Sequence, residues 1–322
     1  MEPDSPTQPH AHPKRPTHEW TIGIDLGASK IALGLVSPEN QITARARIDT
    51  RPADGPVSAA DRIAESVKGL IAQAPRHASV GQVGVGSPGP IDHRTGVIVD
   101  PPNLTGWRAV PFAAMLTERL GLPVRLEHDA KAAALAEYHL GAGRGSRDMA
   151  LIIVGTGIGT AIILDGVLYR GINNSAGEIG HITVDLNGPI CTCGSNGCVE
   201  AYAGGPAIAR SFAYATRRVI DSAEVVTRAA EQGDVIARRV FQDAGRALGA
   251  AIATVAMLMD VNTFVLFGSV VKAGSLLIEP ARAAVPNYSF SSVSQRVRVL
   301  VAELGDDAGI LGAAWAARES ET

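Results

Sequence analysis

The amino-acid sequence predicts an α/β fold built in two halves, and three observations lead to this prediction. Of the 322 residues, 46% are hydrophobic and 19% are charged, which is enough apolar material for two domain cores. Apolar runs at residues 20–27 and 30–37, separated by a short Gly/Ser turn, predict a β-hairpin. The same strand–turn–strand pattern returns at residues 150–166, and helical patterns follow both hairpins. We therefore expect an internal duplication with a cleft between the halves.

Four segments have helical character. Residues 61–74 carry apolar side chains at helical spacing, and residues 129–143 are Ala-rich and end at glycine. Residues 237–259 predict a long helix, and residues 308–319 predict a closing one. The apolar stretch at residues 250–267 is interrupted by two polar residues, so it is interpreted as a buried helix followed by a buried strand and not as a membrane span.

Composition argues against several classes of protein. The net charge of −3 and the aromatic content of 4% are atypical of a nucleic-acid-binding protein, which usually has a basic stripe or a base-stacking platform. The cysteine count is odd, and no apolar segment resembling a secretion signal is present, so a cytoplasmic protein is expected. Residues 1–19 are rich in proline and polar residues and predict a disordered tail, too short for a DNA-binding domain. No nucleic-acid or membrane partner is expected.

Three glycine-rich turns follow predicted buried strands, at residues 25–30, 155–160 and 266–274. Glycine lets backbone N–H groups approach a phosphate closely, so the three turns together predict a nucleotide site. Asp25 could hold a hydrated Mg²⁺, and Ser29, Lys30 and Thr156 could donate to phosphate oxygens. For any one turn, a simple scaffolding role is the alternative. The segment GVGSPG contains Pro88 and is followed by Pro90, which prevent the helix of a dinucleotide-binding turn, and no Walker A loop is present.

All three cysteines lie within eight residues. Cys191, Cys193 and Cys198 follow His181, and Cys₃His at short spacing is typical of a closed, tetrahedral, structural zinc site. The alternative is three unrelated buried thiols and a surface histidine. A zinc-fixed loop would hold Glu178 and Glu200 rigidly as acceptors for sugar hydroxyls, although either could instead be a solvated surface charge.

Asp129 is the candidate general base. It begins the Ala-rich helix, where the helix dipole favours its ionised form, and could accept a proton from an attacking hydroxyl. A purely structural role as the N-cap is the alternative. His128 beside it is either a polar wall of the site or exposed. Asn103, in a Pro-rich loop, can bind a hydroxyl group but is equally common in plain turns.

Together these segments resemble the ROK family (repressors, open reading frames, kinases), specifically its sugar-kinase branch. The resemblance spans about residues 20–318 and rests on DLGASK, GSPGPID, PPNLTGW, EHDAKAAALAE, GTGIGTAIILDG, GEIGH and CTCGSNGCVE. It implies an actin/hexokinase-like (ribonuclease H-like) fold, which we expect as one lobe at residues 20–128 with 305–319 and another at residues 129–304. It also implies a homodimer or homotetramer that transfers a phosphoryl group from ATP–Mg²⁺ to a hexose hydroxyl, most often O6.

The resemblance also implies a role for each matching residue, with Asp129 as the general base. The expected sugar contacts are Gly89, Asn103, His128, Glu178, His181 and Glu200. The expected nucleotide and Mg²⁺ contacts are Asp25, Gly27, Ser29, Lys30, Thr156, Gly157, Gly268 and Ser269. The expected ligands of structural Zn²⁺ are His181, Cys191, Cys193 and Cys198.

The chain departs from the family pattern at several positions. His128 and Lys131 stand where asparagine is usual, and Ser269 replaces the second glycine of a pair. Because the asparagine before the base usually touches a sugar hydroxyl, the histidine bears on which sugar fits.

Four functional hypotheses follow. A glucokinase-like enzyme forming glucose 6-phosphate is the leading one. A kinase for an amino- or N-acetyl-hexose, such as N-acetylmannosamine, N-acetylglucosamine or an aminodeoxyglucose, is the second. A sugar-responsive regulator is the third. In the fourth, polyphosphate replaces ATP as the donor, which should favour a basic groove near the phosphate loops; the charge of the individual segments does not indicate such a groove.

Overall fold

The computed structural model describes residues 19–76 and 78–319. The predicted disordered tail therefore lies outside the described residues, apart from Glu19. Within the described ranges the chain forms two five-stranded sheets, a small two-stranded sheet and ten α-helices. None of these helices combines the length and the hydrophobicity that crossing a membrane would need.

The first sheet has the strand order β3-β2-β1-β4-β7. Its first three strands form an antiparallel meander, and β4 and β7 then add in parallel to β1. The predicted hairpin at residues 20–37 is confirmed as β1 and β2. The strand bounds are Trp20–Leu26 (β1), Lys30–Val36 (β2), Ile42–Asp49 (β3), Val80–Ser87 (β4) and Val124–His128 (β7), and the small sheet consists of Ile91–Asp92 (β5) and Val97–Ile98 (β6).

The second sheet repeats this plan with the order β10-β9-β8-β11-β12. The strands β8, β9 and β10 again form an antiparallel meander, and β11 and β12 run parallel to β8. The repeated order agrees with the predicted internal duplication. The strand bounds are Met149–Val154 (β8), Ile158–Leu164 (β9), Val167–Tyr169 (β10), Thr263–Phe267 (β11) and Arg298–Val301 (β12).

Each sheet has its own hydrophobic core, and a third core lies between the sheets. Two helices, α3 and α10, contribute to this third core. They contact one another, α10 also lies against β1 and β4, and α3 also contacts β8 and β9. The helix bounds are Gly55–Ile71 (α1), Phe112–Leu120 (α2), Asp129–His139 (α3), Val199–Ala203 (α4), Gly205–Thr216 (α5), Ala223–Glu231 (α6), Val235–Met259 (α7), Ser275–Ala284 (α8), Ser291–Ser294 (α9) and Ala308–Arg318 (α10).

All four predicted helices are present, with one clear shift of boundary. Helix α1 begins at Gly55, six residues before the predicted start at residue 61. Pro56 lies in its first turn, where its missing N–H has no helical partner to lose. Apolar spacing alone did not detect this first turn, which begins with glycine and proline. The apolar stretch at residues 250–267 forms the end of α7 and the buried strand β11, as predicted.

Candidate active site

The parallel pairing of the first sheet places three polar positions at one edge. The strands β1, β4 and β7 run in the same direction, so their carboxyl ends meet there. Asp25 pairs in register with Gly86, and Ser87 pairs with His128. Helix α3 starts immediately after β7, at Asp129. The predicted base and the predicted Mg²⁺-binding carboxylate are thus brought to the same edge of the sheet.

The surroundings of Asp25 disfavour a negative charge on its carboxylate when no cation is bound. Burial, together with repulsion from Asp129 and Asp306, raises the pKa of Asp25 to about 6. The repulsion means that Asp25 and Asp129 lie within electrostatic range of each other. A divalent cation bound there would offset both effects. Asp25 and its surroundings therefore fit a role in holding Mg²⁺.

His128 and Asp129 form the first turn of α3. His128 is the N-cap, and its Nδ1 accepts a hydrogen bond from the backbone N–H of Ala130 at 3.3 Å. Asp129 is the first residue of the helix, so the alternative assignment of Asp129 as the N-cap was wrong. Its Oδ1 accepts from the same N–H at 2.6 Å and lies 3.1 Å from His128 Nδ1. The Asp129 side chain is 43% exposed, which leaves the carboxylate accessible to a substrate.

The imidazole of His128 lies against Gly89. A Cβ atom at Gly89 would come within 2.5 Å of His128 Cδ2 and 2.7 Å of Nε2. The ring nitrogen that faces Gly89 is Nε2, while Nδ1 faces the first turn of α3. The structure thus brings two predicted sugar contacts, Gly89 and His128, together beside Asp129. The ring of His128 is directed towards Gly89.

The three glycine-rich turns form tight connections at strand ends. In the first, the N–H of Gly27 donates to Lys30 O at 3.0 Å, and Ser29 and Lys30 are exposed. In the second, residues 155–157 join β8 to β9, with Thr156 exposed at the tip. The third follows β11, where Gly268 has φ of 112° and packs against the Val154 carbonyl.

The second and third turns lie side by side on the second sheet. Strand β11 runs parallel to β8, with Phe267 paired to Ile153. A Cβ atom at Gly155 would lie 3.8 Å from Ser269 Oγ. In the same way, a Cβ atom at Gly159 would lie 3.9 Å from the Ala130 side chain, next to Asp129. The second hairpin therefore reaches from the third turn to the start of α3.

The segment GEIGH packs on strand β9. Gly177 has φ of 100°, and a Cβ atom there would clash with Thr160 O, while one at Gly180 would clash with Ile158 O. Only glycine permits this approach. The segment between these glycines is therefore held beside the second glycine-rich turn, with Glu178 exposed.

Glu200 lies between the second turn and the cysteine loop. Its Oε2 accepts from the N–H of Ile158 at 2.9 Å, and its Oε1 accepts from the Thr192 hydroxyl at 3.2 Å. A Cβ atom at Gly157 would come within 2.6 Å of Oε2. Glu200 thus fixes the second turn through protein contacts, and its predicted role as a sugar contact stays a prediction.

The predicted zinc ligands converge. The ligand atoms of His181, Cys191, Cys193 and Cys198 all lie within 4.8 Å of one another. Cys191 Sγ is 3.7 Å from His181 Nδ1, and Cys193 Sγ is 3.7 Å from Cys198 Sγ. Tetrahedral zinc with Zn–S bonds of about 2.3 Å would place its sulfur ligands about 3.8 Å apart. The donor set and its spacing therefore fit a zinc ion.

A polar network that sequence reasoning missed joins the two sheets. Lys131 on α3 is buried, and its Nζ donates to Asn174 O at 2.8 Å and Oδ1 at 2.5 Å. Asn174 in turn donates to Ile91 O at 3.2 Å. Beside it, Arg170, just after β10, forms an ion pair with Glu127 on β7 at 2.7 Å. Burial lowers the pKa of Lys131, and the charge of Glu127 opposes this. The network fixes the loop between β10 and Glu178 against β7 and the start of α3, where Asp129, the predicted base, lies.

The Asn103 loop is anchored at a different point. Leu104 and Trp107 are buried, and Trp107 Nε1 donates to Pro52 O at 3.4 Å. Asn103 itself is exposed. The contacts of the described residues join this loop to the turn before α1, and its place beside the substrate stays a prediction.

The chain is similar in sequence to proteins of known activity over nearly its whole length. A glucokinase from Halalkalibacterium halodurans is 33% identical over 94% of this chain and 96% of its own length. An N-acetylmannosamine kinase from Shigella boydii is 34% identical over 92% of this chain and 98% of its own length.

Solved structures and a family model agree with these similarities. The crystal structure of a ROK family glucokinase from Streptomyces griseus in complex with glucose and AMPPNP is 35% identical, with a TM-score of 0.74, and covers 94% of this chain and 100% of that one. The predicted fold class is confirmed by this likeness. The model of the ROK family matches residues 21–320. This chain therefore belongs to the ROK family.

Proposed function

We propose that this chain is an ATP-dependent sugar kinase that converts glucose to glucose 6-phosphate. The observation that carries the proposal is the accessible carboxylate of Asp129, held beside Asp25 at the edge where the glycine-rich turns and α3 meet. The glucokinase relative and the glucokinase structure with bound glucose support the substrate. The bound ATP analogue in that structure supports ATP as the donor.

In the proposed reaction, Asp129 accepts the proton of the sugar 6-hydroxyl while the hydroxyl oxygen attacks the terminal phosphorus of ATP. The bond between that phosphorus and the bridging oxygen breaks, and ADP leaves. Backbone N–H groups of the turns, with Ser29 and Lys30, stabilise charge on the phosphoryl oxygens. Mg²⁺, when held near Asp25, neutralises charge on the phosphates.

The remaining site roles belong to the same proposal. The sugar is held by Gly89, Asn103, His128, Glu178, His181 and Glu200. The nucleotide is held by Gly27, Thr156, Gly157, Gly268 and Ser269, with the residues of the first turn. A structural zinc ion bound by His181 and the three cysteines would fix the loop that carries Glu178 and Glu200. The lobes comprise residues 20–128 with 305–319 and residues 129–304, and the chain assembles as a homodimer or homotetramer.

An N-acetylhexosamine kinase is the second candidate. One observation favours it: the Shigella boydii relative phosphorylates N-acetylmannosamine according to its name. The imidazole of His128, which lies where the family usually has asparagine, bears on which sugar fits. The two candidates share the reaction and differ in the group accepted beside the base.

ADP release across a panel of sugars tests the proposal. We expect turnover with glucose and Mg²⁺–ATP, and a loss of about 10² to 10⁴-fold in kcat on Asp129→Asn, because the proton acceptor is removed. Glucose binding by calorimetry should persist in that variant. Asp221→Asn, in the exposed loop before α6, is the matched control. Full activity of Asp129→Asn would remove Asp129 as the base, and turnover only with N-acetylmannosamine would favour the second candidate.

A further inference from the structure

A short loop that follows the second sheet's strand β10 reaches across to the first sheet beside the candidate active site. This bridging loop comprises residues 170–176 and is closed at its base, where Ala176 N donates to Arg170 O at 3.2 Å. Glu178, an expected sugar contact, comes two residues after the loop. The position of the bridging loop therefore decides where the Glu178 carboxylate can lie.

Asn174 attaches the bridging loop at two points. Its backbone oxygen and its side-chain oxygen both accept from Lys131 Nζ on α3, at 2.8 Å and 2.5 Å respectively. Its side-chain nitrogen donates to Ile91 O at 3.2 Å. Ile91 lies in β5, two residues after Gly89, which is another expected sugar contact. Through Asn174 the bridging loop is thus bonded both to the start of α3 and to the segment that carries Gly89.

The burial of Lys131 makes its contact with Asn174 a firm one. Only 4% of Lys131 is exposed, so its ammonium group depends on partners within the protein. Burial lowers the pKa of Lys131, and the charges of Glu127 and Glu178 oppose this effect. Lys131 therefore lies within electrostatic range of Glu178. Because water cannot readily replace the acceptors on Asn174, the contact is less easily broken than a pair on the surface.

The backbone of the bridging loop is shaped by its own contacts. Asn174 has φ of 58°, in the left-handed region, which asparagine adopts more readily than most residues other than glycine. Gly171 has φ of 70°, and a Cβ atom there would lie 3.1 Å from the Ala176 side chain. Sugar binding would therefore not have to order this loop, which avoids a cost that binding otherwise includes.

The two attachments of the bridging loop differ in what their loss would do. Arg170 and Glu127 form a buried ion pair, so removing Arg170 leaves a buried charge and acts mainly on stability. The Asn174 side chain is neutral, and its removal leaves Lys131 with the backbone oxygen of residue 174 as an acceptor. A change at Asn174 can therefore loosen the loop without a large loss of stability.

We propose that Lys131 and Asn174 are positioning residues for the sugar, which hold Glu178 and Gly89 in fixed places on two sides of the site. This inference rests on the proposed sugar-kinase function. Neither residue touches the reacting atoms, and both act by holding groups that are expected to touch the sugar. When the contact is lost, sugar binding has to order the loop, which weakens sugar binding and leaves the transfer step largely unchanged.

Asn174→Gly tests the proposal, because glycine accepts the positive φ and removes only the side-chain bonds. The full-length enzyme is assayed at saturating Mg²⁺–ATP with the sugar that the wild type phosphorylates best. We expect KM for this sugar to rise about tenfold while kcat changes less than about threefold. The dissociation constant for the sugar, measured by calorimetry, should rise by a similar factor, and KM for ATP should change little.

Asn173→Gly is the matched control. It makes the same change at the neighbouring, exposed position and keeps the backbone oxygen that accepts from Ser175 Oγ, so it should retain the wild-type KM. Asn174→Asp keeps an acceptor for Lys131, so its KM should lie nearer to the wild type than that of Asn174→Gly. Lys131→Met removes the donors from a side chain of similar length and should also raise KM. The double variant Lys131→Met/Asn174→Gly should raise KM little further, because both changes remove one contact.

The outcomes separate the two proposals. A raised KM for the sugar in Asn174→Gly, with the wild-type value in Asn173→Gly, supports the inference. An unchanged KM in Asn174→Gly, even with a lower urea midpoint, overturns it and leaves the sugar-kinase function intact, because the contact then serves stability alone. An equal rise in Asn173→Gly also overturns it, because any loosening of the loop would then have the same effect. No sugar phosphate from the wild type with any sugar refutes the sugar-kinase function itself.

Discussion

The guanidinium of Arg170 donates two hydrogen bonds to one carboxylate oxygen of Glu127, from Nε at 3.0 Å and from Nη2 at 2.7 Å. The other oxygen of Glu127 accepts from the backbone N–H of His128 at 2.9 Å. The Glu127 side chain is only 4% exposed, so both of its oxygens depend on these protein donors. The pair links the loop after β10 to His128 and so to Asp129, the proposed base, which follows it.

Removing Arg170 should therefore destabilise the fold. In Arg170→Met, Glu127 keeps its charge inside the protein without a cation, which typically destabilises by about 3–5 kcal/mol. We expect the urea midpoint to fall accordingly. The double variant Glu127→Gln/Arg170→Met should recover much of the loss, because the buried charge is also removed.

Arg147→Met provides the control for this prediction. Arg147 pairs with Asp165, but both side chains are more than half exposed, so solvent screens the pair and little change is expected. An Arg170→Met midpoint equal to that of Arg147→Met would mean that Glu127 does not depend on Arg170.

Removal of zinc should loosen the loop between His181 and Cys198. Cys193→Ser replaces an exposed ligand without opening a cavity in the core, so its effect reports on metal binding. We expect loss of bound zinc by elemental analysis, a fall in Tm of about 5 °C or more, and a raised KM for the sugar. Asn196→Ala, an exposed position between Cys193 and Cys198, should keep the metal. A purified protein that contains no zinc and is unaffected by chelators would contradict the zinc assignment.

His139 should make the fold sensitive to acid. Its ring stacks on Trp315 with centroids 3.9 Å apart, and its buried Nε2 has no hydrogen-bond partner among the described residues. Burial lowers the pKa of His139 to about 4, from 6.5 in its ordinary state. As the pH falls from about 6.5 towards 4, the unfolded chain takes up the proton first, so stability is lost across this window.

His139→Phe keeps a stacked ring and removes the proton site. We expect the free energy of unfolding to fall less between pH 6.5 and pH 4 than in the wild type, as measured by urea titration at several pH values. Tyr138→Phe, at the neighbouring position, should retain the wild-type slope. Equal slopes for wild type and His139→Phe would place the acid-sensitive group elsewhere.

The elements that the sequence predicted correctly have strong local signals. The two hairpins are apolar runs around a Gly-rich turn, α7 is a long apolar helical pattern, and α10 is a short Ala-rich apolar run. The convergence of the cysteine cluster with His181 followed from spacing alone. By contrast, Glu127 and Arg170 are separated by 43 residues, and each is a single charge with no pattern around it. Such pairs depend on tertiary contacts that a single sequence does not encode locally.

We expect the side chain of His128 to decide which sugar the enzyme prefers. His128→Asn should retain the start of α3, since asparagine is among the best N-cap residues. It removes the ring that lies against Gly89 and so enlarges the space beside Asp129. We expect kcat/KM for N-acetylmannosamine relative to glucose to rise about tenfold, mainly through KM, because a gain of roughly one small group in a pocket has this size of effect. Asp129 keeps its place, so kcat for glucose should change little.

His128→Gln is the matched comparison, because it keeps a long polar side chain over Gly89 while replacing the ring. Its sugar preference should stay nearer to that of the wild type than the preference of His128→Asn does. If both variants keep the wild-type ratio of kcat/KM values, the imidazole does not face the bound sugar, and the determinant must be sought among Asn103, Glu178 and Glu200. If the ratio moves in His128→Asn alone, the size of the group at position 128 sets the limit on the substituent that the sugar can carry.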